Sequence, residues 1–132
     1  MSTTSDTLTT HVVDAFTASV GVERVGGKDK AGAFHLYAIT LPAGAQVQVQ
    51  DGLTWTKTPE GRWRFELPFQ VGDPAAQANG VPAEALLAVL HDRYSSLASG
   101  GNATEDDLWC ARALDEVLLR LLRRATRRKT AG

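Results

Sequence analysis

The spacing of apolar positions changes character along the chain. Over residues 8–19, LTTHVVDAFTAS, Leu8, Val12, Ala15, Phe16 and Ser19 recur on one side of a helical wheel. That spacing predicts a short amphipathic helix, with Asp6 or Thr9 as its cap. The run GVERVGGKDKAG predicts a short strand and then a mobile loop, because Gly and Lys dominate it. An alternation of period two takes over next. Residues 33–40, AFHLYAIT, are rich in aromatic and branched side chains, and residues 46–50, QVQVQ, place Val47 and Val49 inward. LTWTK (53–57) and RWRFEL (62–67) flank Thr58-Pro59-Glu60-Gly61. Pro at the second turn position and Gly at the fourth are type I turn chemistry, so these strands form a hairpin. Leu53, Trp55 and Lys57 share one face of it, and Trp63, Phe65 and Leu67 share one face of the partner. Trp55 and Trp63 are expected to lie across from one another or nearly so. The sum is a small antiparallel sheet of about four strands.

The last third is helical. Pro82 suits a first helical turn, where its missing N–H has no partner to lose. The run PAEALLAVLHDRYSSLAS then sets Leu86, Leu87, Leu90, Tyr94 and Leu97 on one stripe, and Gly100-Gly101-Asn102 stops it. Thr104 and Asp107 make a capping-box variant, and Glu105 and Asp106 favour the positive helix N-terminus. Leu108, Ala111, Leu114, Leu118, Leu121 and Leu122 follow on one face. Helices joined by so short a loop are antiparallel neighbours. The fold class is therefore α+β: a short helix and sheet over residues 1–70, a connecting loop over 71–81 and a two-helix hairpin over 82–132, together one compact unit.

Composition narrows the function. The chain has 132 residues, of which 43% are apolar and 22% charged, with a net charge of −1. That is one ordinary globular domain with no global pull toward nucleic acid or membrane. No apolar run approaches the roughly 20 residues of a membrane span. The N-terminal MSTTSDTLTT lacks the layout of a signal peptide and reads as a short polar arm, and a cytoplasmic protein is the expectation. The single Cys110 excludes an intrachain disulfide and fits a helical core position. His11, His35 and His91 have no metal-ligand spacing, Gly72-Asp73-Pro74 is no P-loop, and no nucleophile signature is present. Glu84 and Asp92 share a helix face but stand too far apart for paired acid–base work. These absences predict a protein that is not an enzyme and needs no cofactor or metal.

Charge and aromatics supply the binding chemistry. Residues 120–129 hold five Arg and one Lys with no acid. They read either as a solvated, dipole-matched helix end or as an anion site, with Arg120 and Arg124 on one side. The acidity of the rest of the chain argues against a duplex and for a small polyanion. His35 and Tyr37 share a strand face, either stacking on the hairpin or lining a pocket. Trp55 and Trp63 fit a core or interface better than a ligand platform.

The segment PFQVGDPAAQANGVPAEALLAVLHDRYSSL, with the later LDEVLLRLLRR, resembles a phage pattern. It has Phe-Gln-x-Gly at a strand end, Asn-Gly-Val opening a helix, then Asp-Arg and a second Leu-rich helix. The likeness is to the helical hairpin shared by anti-CBASS nucleotide sponges and the first family of Thoeris anti-defence proteins, the Thoeris family being closer because a sheet precedes its hairpin. The resemblance covers residues 69–124. It implies a phage protein that sequesters a cyclic ADP-ribose variant, and in some members cyclic oligonucleotides, without cleaving it. It implies a homo-oligomer, dimer or hexamer, acting in the host cytoplasm. By the same resemblance Phe69 stacks on the ligand, Asn79 hydrogen-bonds it, Gln70 stands with Phe69 in the same pocket wall, Arg93, Arg120 and Arg124 meet its phosphates, and His35-x-Tyr37 echoes a strand motif. The chain departs from the pattern at Glu105, where relatives carry Arg, and at Arg120, where they carry an aromatic residue. The alternatives are an inhibitor that binds a host protein with no small ligand, and a small nucleic-acid-binding accessory protein.

Overall fold

The computed structural model describes residues 6–28, 32–47 and 55–131, with side chains through residue 128. The chain divides into two compact units, Met1–Gly80 and Val81–Gly132.

In the first unit, α1 (Ala15–Ser19) is much shorter than the apolar spacing predicts. Its cap is Asp14, neither Asp6 nor Thr9. The Thr17 N–H donates to Asp14 Oδ1 (2.8 Å), and the Asp14 N–H donates to Thr17 Oγ1 (3.0 Å). This reciprocal box starts the helix at Ala15, seven residues later than the predicted start at Leu8. The residues before it do other work: the Leu8 N–H donates to Val22 O (2.7 Å), the Arg24 N–H donates to Asp6 O (2.8 Å), and Thr7 bridges Glu23. Backbone pairing thus captures a segment whose Leu8 fits a helix pattern. Phe16 stays 64% exposed, so this helix contributes little to the core.

The sheet has four antiparallel strands, β1 (Gly21–Arg24), β2 (Leu36–Thr40), β3 (Thr56–Lys57) and β4 (Trp63–Pro68), in the order β1-β2-β4-β3. The expected 33–40 strand begins at Leu36, with Phe34 bridging Lys28. Of QVQVQ, Val47 is buried and residues 48–50 lie outside the described residues, as does Leu53. The turn forms as its residues require: the Gly61 N–H donates to Thr58 O (2.9 Å), and Gly61 has φ 80°, a left-handed conformation open to Gly at little cost.

Alternation gives the sheet two unlike faces. Tyr37 pairs with Leu67, Ile39 with Phe65 and Lys57 with Trp63, so these side chains stand together on an apolar face. Register separates the two tryptophans. Trp55 meets Phe65 (centroids 5.8 Å apart), while the Lys57 ammonium sits 5.1 Å from the Trp63 ring. Gly21, Ala38, Thr40 and Arg64 occupy the other face, where Ala38 is fully buried.

The second unit is α2 (Ala83–Ala98) and α3 (Glu105–Ala131) packed together. Pro82 is the N-cap of α2, one position before its first residue. The predicted box opens α3: the Asp107 N–H donates to Thr104 Oγ1 (3.3 Å), and the Thr104 N–H donates to Asp107 Oδ2 (3.0 Å). His91 Nε2 lies 3.9 Å from Asp115 Oδ1 across the pair. Ala111 is buried and Leu87, Tyr94, Leu114, Leu118 and Leu121 are half-buried. Leu90, Leu97, Leu108 and Leu122 belong to the predicted stripes yet stay exposed, Leu122 at 63%. At 100° per residue those stripes are wider than one partner helix covers. Among the described residues no helix is long and apolar enough to cross a membrane.

Candidate aromatic and amide site

Three predicted site residues come together at one end of the sheet. The Phe69 N–H donates to His35 O (2.6 Å), which continues the β2–β4 ladder past Pro68. Directly opposed residues project to one side, so His35, Tyr37 and Phe69 share the apolar face. The Tyr37 and Phe69 rings meet edge-to-face, with centroids 5.7 Å apart and planes at 88°. This T-shape sets the electropositive edge of one ring against the π face of the other. All three residues are half-buried. His35 Nδ1 is shielded and has no hydrogen-bond partner among the described residues. An unsatisfied shielded nitrogen of this kind favours a polar partner at the site.

Gln70 and Asn79 build the loop that follows. Gln70 Oε1 accepts from the Asn79 N–H (2.9 Å), and Gln70 Nε2 lies within reach of the carbonyls of Gln77 (2.9 Å), Val71 (3.2 Å) and Gly72 (3.3 Å). Asn79 Oδ1 accepts from the Val71 N–H, and its Nδ2 donates to Val71 O, each at 2.9 Å. The Asn79 amide thus pairs with the Val71 backbone as a neighbouring strand would. Within the loop, Asp73 Oδ1 accepts from the Ala75 N–H (2.9 Å), a local turn of the kind Asp favours. Gly80 closes the segment. A Cβ there would stand 2.5 Å from Phe69 C and O and 2.8 Å from Gln70 N, so only Gly lets the returning chain lie against the strand end. The Gln70 amide is engaged at both ends. Asn79 keeps one N–H and one lone pair for a further partner.

The predicted cations belong to the second unit. Arg93 is exposed on α2, at positions along the helix that alternate with the exposed Val89 and Leu97. Arg120 Nε lies 3.4 Å from Glu116 Oε1, and with 77% and 57% of these side chains exposed the pair is weak. Arg124 is exposed one turn beyond Arg120. Glu105 stands in the first turn of α3 with Asp106 and Asp107. Elsewhere, hydrogen bonds from Thr17, backbone first and hydroxyl second, hold the Asp14 carboxyl below its ordinary range.

Sequence reading did not single out the polar face of the sheet, which forms a cavity flanked by Arg62, Arg64, Glu23 and Glu60. The signal was available in RWRFEL, whose alternation sends Arg62 and Arg64 to the side opposite Trp63 and Phe65. Among the described residues no cluster of three His, Cys, Asp or Glu side chains is placed to hold a metal ion. The chain matches no protein-family model and no curated protein.

Proposed function

We propose that this protein is a phage-type sponge that binds a cyclic nucleotide immune signal, a cyclic ADP-ribose variant or a cyclic oligonucleotide, and withholds it without cleavage. It would thereby inhibit a Thoeris- or CBASS-like defence in the host cytoplasm. The observation that carries this reading is the Tyr37–Phe69 pair on the same sheet face as His35, whose Nδ1 has no hydrogen-bond partner among the described residues, on a strand end fixed by the Gln70–Asn79 loop. An aromatic face holds a base by stacking, at about 1–3 kcal/mol per base. The imidazole nitrogen and the spare Asn79 groups suit ribose hydroxyls and base edges. The resemblance assigns the phosphate contacts to Arg93, Arg120 and Arg124, residue types that grip oxyanions in forks.

A homo-oligomer, dimer or hexamer, belongs to this reading. The apolar side chains that the hairpin leaves exposed support it, among them Val89 at 63% and Trp109 at 68%. They equally favour a second reading, an inhibitor that grips a host protein through the hairpin. Calorimetry with a purified cyclic ADP-ribose variant separates the two. The sponge binds it, and Phe69→Ala weakens binding by about tenfold or more. Inhibition of the defence without any binding of the compound selects the second reading.

A further inference from the structure

The polar face of the sheet carries a cavity of about 450 Å³, within the size range of small-molecule sites. Its floor is made by small residues. Gly21 pairs with Thr40, and Thr40 pairs with Arg64. A Cβ on Gly21 would rest 3.7 Å from Thr40 Cβ, an ordinary contact, so Gly here leaves room above the strand rather than relieving strain. Two guanidinium groups border this floor. Arg64 Nη1 donates to Glu23 Oε1 (3.0 Å) across β2, and both side chains are partly shielded, at 28% and 43% exposure. That bond fixes the Arg64 plane and uses one of its five N–H donors. Arg62 has no ion pair among the described residues, nor has Glu60 across the turn. Thr58 and Thr40 add hydroxyls to the same wall.

We propose that this cavity binds a monosaccharide-sized polyol carrying one oxyanion, a sugar acid or a sugar phosphate. The oxyanion sits against Arg62 and the free edge of Arg64, where planar forks match carboxylate and phosphate oxygens. The polyol hydroxyls donate to the carboxylates of Glu60 and Glu23 and exchange hydrogen bonds with Thr40 and Thr58. The two acids offset the two cations, so a bare inorganic anion gains little net attraction, and the hydroxyls supply selectivity. Tyr37 and Phe69 stand on the opposite face, so this site is independent of the nucleotide reading.

The test is a titration of the full chain, followed by amide and arginine side-chain NMR, with glucose 6-phosphate, gluconate, sorbitol and inorganic phosphate as separate probes. Saturable shifts at Gly21, Thr40 and the Arg62 side chain with glucose 6-phosphate or gluconate support the site, and whichever binds more tightly names the oxyanion. Sorbitol and inorganic phosphate bind at least about tenfold more weakly, and Arg62→Ala weakens the anionic probe by a similar factor. Gly21→Val retains strand geometry and every charge yet fills the floor, so it abolishes the shifts. Phe69→Ala leaves them unchanged. Absence of saturable shifts with both anionic polyols, equal binding of sorbitol, or unchanged binding by folded Gly21→Val overturns the proposal.

Discussion

Replacing Gly80 with Ala adds one methyl group at the most crowded of the described glycines. The new Cβ would sit 2.5 Å from Phe69 C and O and 2.8 Å from Gln70 N. All three neighbours are main-chain atoms, so no flexible side chain can rotate aside. Either the strand end or the returning loop must shift. Overpacking of this kind costs about 1–3 kcal/mol. Against it stands the reduced entropy of the unfolded chain, which favours Ala over Gly by about 0.4–1 kcal/mol where the backbone accepts it. The net expectation is destabilisation by about 1–2 kcal/mol. Gly27 is the control: it lacks a left-handed φ, and a Cβ there meets nothing within 4 Å. Gly27→Ala should therefore be neutral or slightly stabilising. Urea unfolding gives the difference, and hydrogen exchange locates it. The Phe69 amide, which donates to His35 O, and the Val71 amide, which donates to Asn79 Oδ1, should both lose protection in Gly80→Ala. Equal stability of the two variants, with both amides still protected, would refute the close-approach argument.

Other outcomes follow from the same geometry. Thr104→Ala removes both hydrogen bonds of the Thr104 hydroxyl and leaves the Thr104 N–H bond to Asp107 in place; it should lower stability by about 1 kcal/mol, measured by thermal unfolding, with Thr104→Ser retaining most of it. Ala111→Leu should cost about 1–3 kcal/mol, because that position is only 7% exposed, whereas Ala113→Leu on the exposed side should be near neutral. Asp14 has a folded-state pKa below its unfolded value of 3.8, so its cap contributes above that pH and is lost as pH falls through the folded value. Asp14→Asn should therefore flatten the acid limb of the stability profile of α1, read by amide exchange at Thr17.

Legibility of the fold tracked the strength of local signals. The turn at Thr58-Pro59-Glu60-Gly61 and the Thr104–Asp107 box combine specific residue types at fixed offsets, and both form as expected. The segment 8–14 was misleading because its apolar spacing is a weak signal. Asp14 and Thr17 cap more strongly, and β1 offers Leu8 a backbone partner. Strand register was beyond reach, since it depends on where the turn places the ladder, and so Trp55 meets Phe65 rather than Trp63. At the candidate site, the shared face of His35 and Tyr37 was readable from period two, and Phe69 joins it through pairing. The internal use of the Gln70 and Asn79 amides was not readable, because it rests on a loop closure between residues nine apart.

Sequestration without turnover has a direct measurement. The purified chain is mixed with the product of a TIR-domain enzyme, filtered, heated and weighed by native mass spectrometry at each stage. The account predicts that the cyclic ADP-ribose variant leaves the filtrate, rides on an oligomer of the chain and returns at unchanged mass after heating. A compound that returns cleaved, or that never leaves the filtrate, contradicts it.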